Sequence, residues 1–78
     1  MPTVLRVGPY SFVFSSSDRT EPAHIHVKRD RQIAKFWLNP VSLAHNARFE
    51  QHELSRIARL VTQYERMLIE AWHDYFHR

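Results

Sequence analysis

The sequence predicts an α+β domain: a small antiparallel sheet of four to five strands, built from two hairpins, then one long C-terminal amphipathic helix. Two observations carry this. Up to about residue 45, short segments rich in β-branched and aromatic residues alternate with turn-forming pairs. From about residue 50 the apolar positions switch to i, i+3, i+4, i+7 spacing. Strands first and helix last is the order of an antiparallel meander with a helix on one face and the other face open to water. A chain of 78 residues is read as a single domain, 1–78.

The elements follow in order. "TVLRV" (3–7) and "YSFVF" (10–14) flank Gly8-Pro9, which suits a hairpin turn. The polar stretch "SSSDRTEP" separates them from a second pair, "AHIHVK" (23–28) and "QIAKFWL" (32–38), joined through Asp30-Arg31. "VSLAH" (41–45), after Asn39-Pro40, favours a short edge strand over a turn of helix. The helix stripe is Leu54, Ile57, Ala58, Val61, Tyr64, Leu68, Ala71, Trp72 and Tyr75. Glu50 and Glu53 favour its positive end. Phe49 and Leu54 are spaced as a hydrophobic staple if Glu50 is the cap, although Glu caps less well than Ser or Asp.

Helix length raises a question. About 27 residues reach roughly 40 Å, whereas a five-residue strand spans only ~17 Å. The helix therefore either bends or breaks near "YERM", or packs its C-terminal half on another chain. Leu60, Met67 and Ile69 widen the apolar surface beyond the stripe, and Trp72, Tyr75 and Phe76 would be a costly exposed patch. These six residues are the expected interface for a partner or a second copy.

Composition excludes several classes. There is no cysteine, so no disulfide or thiolate site reinforces the core. Gly8 is the lone glycine, which excludes Gly-rich phosphate loops and the serine-nucleophile elbow. No apolar run approaches the ~20 residues of a membrane span. The N-terminal stretch lacks the zones of a signal peptide, so a cytoplasmic protein is expected. The net charge of +3, with six histidines in addition, suits an anionic partner, although ordinary solubility charge is the favoured reading of it.

Strand alternation supplies the candidate site. If Ile25 and Val27 face the helix with Ala34, Phe36 and Leu38, then His24, His26, Lys28, Lys35 and Trp37 gather on the opposite face. A one-residue slip would invert this. Three functional readings compete there. In the first, His24 and His26 ligate a metal with Glu21. Zinc needs at least three protein ligands; no third is identifiable among His45, His52, His73 and His77, and Lys28 and Lys35 repel a cation. Neither a metal nor a cofactor is expected. In the second, His24 and His26 are acid–base groups, Lys28 and Lys35 steady a phosphate, and Trp37 stacks a base, as on a metal-independent ribonuclease. In the third, the face binds a protein without chemistry. A solvent-facing strand with cross-strand polar pairs is the plain alternative to all three. The stripe His52, Arg56 and Arg59 in "HELSRIARL" is a further candidate phosphate edge, or a solvated helix face. It is not a zincin motif, because Arg56 stands where the second histidine would be.

"MPTVLRVGPYSFVFSS", "EPAHIHVKR", "AKFWLNPVSLAHN", "HELSRIARLV" and "EAWHDYF" together resemble a bacterial domain-of-unknown-function family, the one numbered four-one-six-zero. The resemblance covers nearly the whole chain. Its motif positions here are Glu21, Pro22, His24, His26, Val27, Lys35, Trp37 and Leu38. Gly8-Pro9 stands where Gly-Gly is usual, and Glu50 where Ser or Thr is common. Members are short proteins often encoded beside a second small domain, as candidate type II toxin–antitoxin pairs. The resemblance thus implies a toxin-like component neutralised by a cognate small antitoxin; the His24, His26, Lys28, Lys35 and Trp37 face adds the expectation that it acts on RNA. The alternative is a non-enzymatic interaction module, a homodimer or partner-binding subunit. Whether the protein is an enzyme stays open at this point.

Overall fold

The computed structural model describes residues 3–14 and 20–76. The Met-Pro opening of the chain, the first part of the "SSSDRTEP" punctuation, and His77, one of the spare candidate ligands, lie outside the described residues. Five strands, β1 (Thr3–Val7), β2 (Tyr10–Val13), β3 (His24–Arg29), β4 (Gln32–Leu38) and β5 (Val41–Ala47), form one antiparallel sheet in the order β1-β2-β3-β4-β5. Two helices follow, α1 (Gln51–Gln63) and α2 (Glu65–Phe76). None is long and apolar enough to cross a membrane.

The turns have local causes. Val7 pairs with Tyr10 across the two-residue turn Gly8-Pro9. Gly8 takes φ +56°, and the proline ring holds the next φ negative, the combination of a type II′ turn. Arg29 pairs with Gln32 across Asp30-Arg31, where Asp30 takes the left-handed position at φ 56°. The Asn39-Pro40 peptide, between β4 and β5, is cis. The expected short edge strand at 41–45 is a full strand reaching Ala47. Both edge strands are irregular in register, between Thr3 and Leu5 in β1 and opposite Lys35/Phe36 in β5. Such bulges discourage strand-to-strand association at a sheet edge.

The core lies between the sheet and the helices. Phe12, Ile25, Val27, Ala34, Phe36 and Leu38 meet Leu54, Ile57 and Val61 of α1 and Leu68 and Trp72 of α2, all buried. Helix α1 starts as its composition suggests. Glu50 is extended and makes no side-chain cap, while Phe49 and Leu54 are both buried in the core. The entry is held by Asn46, whose amide donates to the Phe49 carbonyl (3.0 Å) and accepts from the Phe49 N–H (3.1 Å).

The expectation of one long helix is corrected. The helix breaks at Tyr64 (φ −103°, ψ 13°), inside the "YERM" stretch. A continuous helix of 26 residues would run about 39 Å, more than the 36 Å longest extent of the whole chain. Thr62 contributes, since its hydroxyl donates to the Ala58 carbonyl (2.9 Å), a back-bond that bends helices. The break keeps α2 on its own sheet. Phe14 meets Trp72 edge-on at 5.4 Å, with Tyr75 and Phe76 at 5.9 and 6.0 Å.

Candidate functional site

The register places the five sheet-face candidates together. His24 stands opposite Trp37, His26 opposite Lys35 and Lys28 opposite Ile33, while Ile25 and Val27 pair with Phe36 and Ala34 toward the helices. Neighbouring strands extend these rows across the face. Val13, His26, Lys35 and His45 form one row, and Arg6, Ser11, Lys28 and Ile33 the next. His24, Trp37 and Ser42 form the row at the other end. No strand residue is an Asp or Glu. The strands carry Arg6, Lys28, Arg29 and Lys35; the helices carry Glu53, Glu65, Glu70 and Asp74 together with Arg56, Arg59 and Arg66.

The face is unevenly exposed. Arg6, Ser42 and His45 are open, whereas Val13 and His24 are buried. His24 is 0% exposed. Its ring lies 5.0 Å from Trp72 of α2, 5.6 Å from Trp37 and 5.3 Å from His26. Trp72 also touches Phe14 on the core side, so α2 closes the end of the sheet where the two faces meet. Nδ1 of His24 donates to the Pro22 carbonyl (2.9 Å), so Nδ1 carries a proton. A ring enclosed this way is poorly placed to exchange protons with a substrate.

Lys35 is half-buried and committed. Its ammonium pairs with Glu21 and sits 4.7 Å from the centre of the Trp37 ring. Trp37 in turn forms a wall of an open cleft of about 460 Å³, shared with Pro22, Asn39, Pro40, Ser42 and His73. Lys28 borders a polar hollow of about 280 Å³ with Thr3, Ser11 and Asp30. Arg56 and Arg59 are exposed on α1, in the helical layer, apart from the sheet-face set. Of the six expected interface residues, Trp72 is buried in its own chain. Leu60, Ile69, Tyr75 and Phe76 are half-buried against the core, and Met67 is exposed. Among the described residues no three His, Asp or Glu side chains converge as a metal site.

One constellation is absent from the sequence reading. Glu53 accepts from two Arg29 nitrogens, Nε at 2.7 Å and Nη2 at 2.8 Å, and from the Tyr10 hydroxyl at 2.7 Å. The Arg29 fork, then the Tyr10 hydrogen bond, hold the Glu53 carboxyl down at about 2. Burial, then the Glu53 contact, push the Tyr10 hydroxyl up. Glu53 in turn pushes the Arg29 guanidinium up. This clasp ties β2 and β3 to the first turn of α1. The sequence signal for it was the position of Tyr10 and Arg29 beside the two tight turns. These lie on adjacent strands, but only the register shows that both reach the helix start.

A five-stranded antiparallel meander, covered by helices on one face and carrying Arg6, Lys28 and Lys35 on the other, defines a small α+β domain. The chain belongs to the family described as Domain of unknown function (DUF4160), whose model matches residues 10–73. No curated protein matches the chain. No solved structure matches it either.

Proposed function

We propose that this protein binds RNA across the uncovered face of its sheet, as the toxin-like member of a bacterial toxin–antitoxin pair, and that it binds without cleaving. The observation that carries the reading is the charge of the sheet: no strand residue is an Asp or Glu, and Arg6, Lys28 and Lys35 leave from the uncovered face. A phosphate backbone is drawn to such a surface by charge and by release of its counterions. Arg6, Lys28 and His45 are the forward contacts, with His26 and Lys35 between them. The enclosure of His24 supports binding over catalysis, since an acid–base pair would need both rings at the surface. The antitoxin, in this reading, covers the same face.

The test is fluorescence anisotropy with labelled RNA over a range of salt. Wild type binds, with an affinity that falls steeply as salt rises. The Arg6→Gln/Lys28→Gln variant binds more weakly, and its log–log salt slope is shallower by about 0.7 per lost phosphate contact. Affinity that ignores salt and both substitutions would sink the proposal. RNA cut at a rate dependent on His26 would refute the non-catalytic part.

A second reading, a protein-interaction module, is favoured by β5. Leu43 on this edge strand is 47% exposed beside an apolar groove of about 220 Å³ formed with Leu54 and Ala58 of α1. A cognate small protein would dock there by laying the apolar face of a helix into the groove. Leu43→Glu separates the two readings, because it should break that contact and leave RNA binding intact.

A further inference from the structure

We infer that the Trp37 cleft is a pocket for one unpaired RNA base, so that the ligand of the sheet face is single-stranded and not duplex RNA. The inference rests on the RNA-binding reading and adds the ligand's class and the residues that hold its base. Trp37 belongs both to the sheet face, opposite His24 and Ser42, and to the wall of the cleft of about 460 Å³. That volume lies within the usual range for small-ligand pockets, roughly 300–1,000 Å³. Trp37 contributes to one wall, and an indole offers a flat surface on which a base of any identity stacks. Pro22 and Pro40 add apolar rims, while Asn39, Ser42 and His73 bring polar side chains to the same space. The Asn39 amide offers a donor and an acceptor together, the combination that matches the edge of a base.

The cleft connects with the charged rows. Along a strand, two residues advance about 6.8 Å. The His26–Lys35–His45 row therefore lies about 7 Å from the Trp37 row, and the Arg6–Lys28 row about 14 Å away. Stacked nucleotides advance only about 3.4 Å each. A stretched single strand can place a base at Trp37 and phosphates at Arg6 and Lys28; a stacked duplex cannot, because its bases are paired and its edges turned inward. Lys35, paired with Glu21, lies over the indole at 4.7 Å from its centre and braces the ring.

The experiment is anisotropy titration of the full chain with fluorescein-labelled octamers of single-stranded RNA and with a duplex of the same length. Single strands should bind at least ten times more tightly than duplex. Trp37→Ala should lose about 5- to 150-fold in affinity for single strands, the equivalent of the roughly 1–3 kcal/mol of one stacked base, with an unchanged salt slope. Trp37→Phe should keep most of the affinity, and circular dichroism checks that both variants fold. Asn39→Ala, on an exposed turn, should weaken binding several-fold. In a Trp72→Phe background, Trp37 fluorescence should fall on binding. Equal affinity for duplex, or RNA binding untouched by Trp37→Ala, overturns the base pocket and leaves the sheet-face reading standing. Loss of binding to a cognate protein, with RNA affinity unchanged, assigns the cleft to that protein and also overturns it. No RNA binding by the wild type overturns both readings.

Discussion

Trp72 separates two views of the C-terminal segment. If it is core, truncation destabilises the single chain; if it is an interface residue, truncation changes oligomeric state. Trp72 is 5% exposed, stacks at 4.2 Å on Phe76, meets Phe14 at 5.4 Å and closes over His24 at 5.0 Å. Replacing a buried Trp by Ala typically costs about 3–5 kcal/mol. The total stability expected of a chain this size, at roughly 0.05–0.15 kcal/mol per residue, is about 4–12 kcal/mol. Trp72→Ala should therefore remove at least a quarter of it. At about 4–8 °C per kcal/mol the midpoint should fall by roughly 12–40 °C. Met67, on the same helix but 39% exposed, is the control. Met67→Ala should shift stability by no more than about 0.5 kcal/mol. The assay is urea unfolding followed by far-ultraviolet circular dichroism, with light scattering to give the mass in solution. A loss below about 1 kcal/mol for Trp72→Ala, accompanied by a fall in mass, would refute the packing argument.

Four further outcomes follow from the same geometry. The folded Glu53 carboxyl titrates at about 2 against an ordinary value of 4.5, so its contribution to stability is complete above the ordinary value and is lost as pH falls through the folded one. Wild type should thus lose stability between about pH 4.5 and 2 relative to Glu53→Gln in thermal melts, and parallel curves would rule the clasp out as the cause. Tyr10→Phe keeps the ring in the core but drops its hydrogen bond to Glu53, and should cost about 1–2 kcal/mol in urea titrations at pH 7. Arg48 stands at φ 79°, a region costing an L-residue about 1–2 kcal/mol, so Arg48→Gly should raise stability by about 0.5–1 kcal/mol after the entropy of glycine is subtracted. Asp30→Gly should gain less, because Asp tolerates that region better.

Legibility in the sequence depended on how local the signal was. The alternation in "HIHVK" and "AKFWL" assigned the faces, because pairing apolar with apolar leaves one register and the observed pairs Ile25–Phe36 and Val27–Ala34 follow it. The turns at Gly8-Pro9 and Asp30-Arg31 were equally local. The helix break was not. Val61, Tyr64 and Leu68 keep the 3- and 4-residue spacing straight through Tyr64, and neither Gly nor Pro marks the place. Only the length mismatch with the sheet pointed to it. The burial of His24 was also illegible, because strand alternation says which face a ring leaves from and not what closes over it. That closure comes from Trp72, far along the chain, and exists because the helix breaks.

The break thus governs the site as well as the fold. By turning α2 back onto β3 and β4, it brings Trp72 over His24, and His73 to the rim of the Trp37 cleft. The two histidines two apart in "EPAHIHVK" therefore have different roles. His24 is a packed ring that fixes the end of the sheet through Pro22 and two tryptophans, whereas His26 lies in the outer-face row with Lys35 and His45. The contacts that stabilise the domain, the core and the Tyr10–Arg29–Glu53 clasp, lie on the helical side. The proposed RNA contacts Arg6, Lys28 and His45 lie on the other face. This separation lets binding be removed from the sheet face without unfolding the protein. Substituting His24, by contrast, should alter stability first and binding only as a consequence.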